Sequence, residues 1–110
     1  MDFPADFDVD AFLEPLRAKF GSGKVVAIMT IAGPVAFRKP TSPEYDRVKA
    51  MAQNPNDRAS ASKTLCLITV VSPDRPAFAS MLEEYPGIAD VCDDHIFALA
   101  GVDSKAAVKK

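Results

Sequence analysis

Apolar positions open the chain at helical spacing. Phe12, Leu13, Leu16 and Phe20 follow Asp10, which is the expected cap, and Gly21 stands at the stop position. Pro15 removes a backbone donor inside this run, so the expected helix is short or kinked. After the flexible Gly21-Ser22-Gly23 break, the period changes. Residues 24–31 hold Val25, Val26, Ile28, Thr30 and Ile31, a β-branched set that predicts a strand. Ala32-Gly33-Pro34 reads as a turn. Residues 35–39 read as the returning strand, with Val35 and Phe37 on one face and Ala36 and Arg38 on the other. Two strands alone are marginal in water, so this hairpin must pack on helices or pair with a second copy.

The remainder is helical in pattern. Ser42 as cap with Pro43 at the first helical position opens a helix whose inner face is Tyr45, Val48 and Met51 or Ala52. Asn54-Pro55-Asn56 ends it. Residues 57–71 are ambiguous. Their first half looks helical, residues 68–71 alone would pass for a strand, and length favours one helix. Asp74 caps the next helix, with Phe78, Met81, Leu82 and Tyr85 as its inner stripe. Pro86-Gly87 breaks it. A last helix carries Ile88, Val91, Cys92, His95, Ile96 and Leu99 on one face and stops at Gly101.

The expected fold class is therefore α+β: an N-terminal helix, one β-hairpin, then a cluster of three to four helices. The 110 residues make a single domain. Residues 1–23 form an acidic front helix and linker, 24–101 the hairpin plus helical core, and 102–110 a frayed tail. A net charge of -2 and 48% hydrophobic residues exclude a disordered chain and argue against a nucleic-acid binder. The chain holds no apolar run of membrane-spanning length, and its start does not read as a secretory signal, so a cytoplasmic location is expected. Charge is segregated. Residues 1–14 carry five acids and no base, residues 16–75 sum to +6, and residues 76–103 sum to -6. Such blocks are solvated faces or a partner surface steered by opposite potentials.

Candidate chemistry is thin. Asp6, Asp8 and Asp10 resemble the start of a calcium loop, but Ala11 and Arg17 stand where it needs Gly and Glu. Cys92 and His95, with Cys66, fall short of a zinc ligand set. A Cys66 or Cys92 nucleophile with His95 as base is set against apolar surroundings for one thiol and acidic neighbours for the other. Gly21-Ser22-Gly23-Lys24 lacks the phosphate-loop spacing. No catalytic residue, cofactor site or metal site is expected.

A longer pattern is more specific. Val25-Val26-Ala27-Ile28 leads through Gly33 to Val35-Ala36-Phe37-Arg38-Lys39-Pro40-Thr41, then Glu44-Tyr45. Cys66-Leu67-Ile68-Thr69-Val70-Val71-Ser72-Pro73, Phe78 and Leu82-Glu83-Glu84-Tyr85-Pro86-Gly87 follow. Over about residues 24–101 this resembles small phage and prophage proteins of the tail-assembly-chaperone type. The resemblance implies a non-enzymatic role: binding a tail tape-measure or tail-tube protein during assembly. No cofactor, nucleic-acid or membrane partner is expected from the composition and motifs above. The resemblance also raises a frameshifted longer product, for which Lys109-Lys110 is the place to look. The residues to watch for partner contact are Arg38, Lys39, Pro40, Thr41, Tyr45 and Tyr85, although residues 38–41 also suit a plain hairpin-to-helix connection. The alternatives are a generic interaction or regulatory module, dimeric through its open hairpin edge, and a small Cys/His enzyme or metal protein.

Overall fold

The hairpin forms where the β-branched residues lie. In the computed structural model, which describes residues 2–102, β1 (Val25–Thr30) and β2 (Gly33–Arg38) pair antiparallel. Val25 stands opposite Arg38 and Thr30 opposite Gly33. The turn lies one step earlier than expected, at Ile31 and Ala32, and Gly33 and Pro34 already belong to β2. Gly33 has φ 117, a left-handed bend that a side chain would strain. The Thr30 hydroxyl locks the turn, donating to the Gly33 carbonyl at 2.7 Å and accepting from the Ala32 N–H at 3.1 Å.

The sheet has a third strand that was not expected. The single helix predicted over 57–71 is instead a 3-10 turn (Arg58–Ser60), α3 (Ala61–Thr69) and β3 (Val70–Ser72). β3 pairs antiparallel with β2 through Phe37 opposite Val70 and Ala36 opposite Ser72, so β2 is central. Three causes end the helix. Thr69 turns its hydroxyl back onto the Leu65 carbonyl at 2.7 Å. Val70 and Val71 favour extended backbone, and Pro73 disfavours a helical Ser72. The open edge of β2 then offers hydrogen bonds to the extended chain.

α2 (Ser42–Gln53), α3, α4 (Arg75–Glu84) and α5 (Ile88–Leu99) pack on one face of the sheet. Phe37 from β2 meets Phe78 from α4 edge to face at 5.5 Å, and both are fully buried. Val35, Val48, Leu65, Cys66, Cys92 and Ile96 belong to the same core. The α2 cap differs from the expected Ser42. Thr41 accepts from the Glu44 N–H at 3.3 Å, and Glu44 accepts from the Thr41 N–H at 2.8 Å. This reciprocal box satisfies two otherwise unpaired donors, which a Ser42 cap would not do. Asp74 caps α4 as expected, accepting from the Ala77 N–H at 2.9 Å.

α1 (Val9–Phe20) covers the opposite face of the sheet. Its cap is Asp8, which accepts from the Ala11 N–H at 3.0 Å, not Asp10. Asp10 lies inside the helix and pairs with Arg17 at 3.2 Å. The helix runs through Pro15 without ending. Leu13 packs with Val25 and Ala36 in a second, smaller core, so Ala36 does face away from Val35 and Phe37. The front helix is thus part of the domain, and the architecture is three-layered. Residues 103–110, with the expected frayed tail and Lys109-Lys110, lie outside the described residues. Among the described residues, no helix is long and apolar enough to cross a membrane.

Candidate protein-binding groove

The hairpin turn and the α4–α5 link come together, although they are far apart in sequence. Between them lies a depression of about 560 Å³. Met29 and Ile31 form one wall, Tyr85 and Pro86 the floor of the link, and Ile88 and Val91 the α5 side. The exposure of these residues is the telling feature. Four large apolar side chains stand exposed among the described residues, and three of them line this groove: Ile31 at 65%, Val91 at 56% and Tyr85 at 37%. Scattered exposed apolar residues are ordinary, whereas here three of the four border one depression. Ile31 also occupies a turn tip, where polar or flexible residues are the rule.

Each element fixes its part of the wall. The two-residue turn holds Ile31 outward, because the Thr30 hydroxyl closes the chain beneath it. Pro86 follows the last residue of the α4 cap, and α5 restarts at Ile88, whose side chain is buried and anchors the link. Val91 was expected on the buried face of α5. The buried stripe is instead Ile88, Ala89, Cys92 and Ile96, which leaves Val91 and His95 exposed. The acid Glu84 also lines the groove.

The residues watched for partner contact do not form one surface. Arg38 is committed to structure. It donates two hydrogen bonds to Glu44, both at 2.8 Å, and a third to the Ile68 carbonyl at the end of α3 at 3.2 Å. The paired guanidinium holds the Glu44 carboxyl down to about 2, aided by the Thr41 N–H and opposed by partial burial. The same bond pushes Arg38 further up. Pro40 is buried and Thr41 caps α2. Lys39, Pro40, Thr41 and Tyr45 do border a smaller cleft of about 270 Å³, and beside it the Tyr45 ring meets Phe97 edge to face at 6.0 Å. Of the six, only Tyr85 reaches the apolar groove. Met29, Ile31, Pro86 and Val91 are absent from the residues watched for partner contact, because the sequence pattern reads them as strand, helix-breaker and core positions. The one signal for them was an isoleucine beside a predicted turn.

The thiols face inward. Cys66 and Cys92 are free and fully buried at the α3–α5 contact, where the Cys66 thiol lies 3.7 Å from the Ala89 carbonyl. Burial, with acidic neighbours adding to it, pushes Cys92 up to about 12 and Cys66 up as well. His95 is exposed on α5, so the structure does not gather Cys92 and His95 into one pocket. Asp93 is engaged by the Ser62 hydroxyl at 2.6 Å. Among the described residues, no three His, Cys, Asp or Glu side chains group as metal ligands.

A family model covers residues 16–109 of this chain. The chain belongs to the DUF6848 family, a domain of unknown function. The DUF6848 span takes in the last five residues of α1, among them Leu16 and Phe20, which pack against the smaller core. A solved structure of an uncharacterised protein from Bacillus stearothermophilus has a similar fold, with a TM-score of 0.69. At 20% identity it covers 87% of this chain and 98% of the other. No curated protein matches.

Proposed function

We propose that this DUF6848 protein acts without catalysis, by holding another protein in the groove between the hairpin turn and the α4–α5 link. The observation that carries this reading is the convergence of Ile31, Tyr85 and Val91 on one depression. The buried, hard-to-ionise thiols support it by removing the most reactive side chains from any pocket. The biological setting we propose is phage or prophage tail assembly, in the cytoplasm, with a tape-measure or tail-tube protein as partner. That setting rests on the resemblance carried by residues 24–101 alone. The test is affinity recovery of tagged protein from a host with its prophage induced, beside the Ile31→Asp variant. Identified tail protein with the parent chain, lost with Ile31→Asp, supports the reading. Recovery of the same proteins with both chains, or of no tail protein, sinks it.

A second reading is self-association through β1. This strand is the sheet's outer member, and Val25–Thr30 contains neither a charge nor a proline to blunt the edge. Sedimentation over a hundredfold concentration range separates the two. A dimer abolished by Ala27→Pro, with the variant still folded, favours the second.

A further inference from the structure

The two walls of the groove differ in charge, and this difference defines an occupant. The hairpin wall has no ionisable side chain between residues 25 and 37. The helical wall lies in a stretch, residues 76–103, with six acids and no lysine or arginine. Glu84 lines the groove, and Glu83 beside it is exposed. Asp94 lies three residues after Val91, on the same face of α5, and Asp90 precedes Val91; both are exposed. The ion pairs among the described residues are Arg17–Asp10 and Arg38–Glu44, and neither involves these four acids. Glu83 and Glu84 also close α4, whose last turn has no basic residue. Carboxylates there face the negative end of the helix dipole, where cations are normally favoured. A cation from outside would meet both the carboxylates and the terminal carbonyls.

We propose that the groove takes a basic amphipathic helix, with apolar side chains on Ile31, Tyr85 and Val91 and lysine or arginine against Glu84 and Asp94. This rests on the groove being the binding surface. Apolar anchors three and four residues apart suit a groove walled by a helix, and the acidic flank selects and orients the partner.

The test uses three labelled synthetic peptides with one leucine stripe and lysine, glutamine or glutamate on the flank. Fluorescence anisotropy against the full chain reads their affinities. The lysine peptide should bind at least about tenfold more tightly than the glutamate peptide at low salt, and the gap should shrink at high salt. Glu84→Lys with Asp94→Lys should reverse the order, with an unchanged circular dichroism spectrum. Ile31→Asp should weaken all three peptides. Equal binding of the three, lost with Ile31→Asp, would refute the charge assignment and leave the groove reading standing. Lysine-peptide binding that survives Ile31→Asp, or no binding at millimolar peptide, would overturn both. Self-association that blocks the peptides would assign the groove to a second copy and overturn the proposal.

Discussion

Arg38 and Glu44 form a two-pronged ion pair, with both nitrogen–oxygen distances at 2.8 Å. The pair joins the end of β2 to the first turn of α2. Glu44 also completes the capping box with Thr41, and Arg38 also holds the last turn of α3 through Ile68. One side chain therefore ties three elements together. A fork of this kind is stronger than a single contact, and lysine cannot reproduce it.

Arg38→Ala is expected to lower stability by about 1–3 kcal/mol, and Arg38→Lys to recover only part of that loss. Urea unfolding at neutral pH measures both. Peptide or partner binding in the groove should persist in either variant while it remains folded.

The same pair sets an acid response. Glu44 is held at about 2 when folded, against an ordinary 4.5. Its contribution is therefore complete above about 4.5 and is lost as pH falls from there toward about 2. Allowing for solvent screening of a partly exposed pair, about 1–2 kcal/mol is at stake. Unfolding curves for the parent chain and Glu44→Gln should diverge at pH 6 and converge near pH 2. A constant gap across that range would contradict the assignment.

Cys66 and Cys92 should resist alkylation in the native state. Both thiols are buried and pushed upward, so modification at pH 8 should follow unfolding and accelerate with urea. Rapid labelling of folded protein would show an opening that this packing does not contain.

Phe78→Ala should cost about 3–5 kcal/mol, because it removes a fully buried ring that meets Phe37 edge to face. Ile31→Asp should cost no more than about 0.5 kcal/mol, since Ile31 is largely exposed. Thermal or chemical unfolding of the two variants gives the contrast between a side chain that the fold buries and one that it leaves exposed.

Local patterns carried most of the fold. The hairpin, the Asp74 cap, and Phe78 and Leu82 were legible because periodicity and punctuation agree there. β3 was not, because residues 68–71 satisfy both a helix end and a strand, and the edge of β2 decides between them. Thr41 displaced Ser42 as a cap because Glu44 at the right spacing rewards it. Val91 and His95 matched the helical period of α5, yet the contact with α3 selects the stripe through Ala89 and Cys92. The groove was the least legible feature. It joins residue 31 to residues 85–91, and neither segment announces the other. Of the six residues that the sequence suggests for contact, only Tyr85 lines the groove. Arg38 and Thr41, also singled out, prove to hold elements together.

Site-specific photo-crosslinking in the native host tests the groove most directly. A photoreactive phenylalanine replacing Tyr85 should give a discrete adduct with one protein, and the same probe replacing Lys49 on α2 should not. Adducts of equal yield at both positions, or an adduct at 49 with none at 85, would contradict the account.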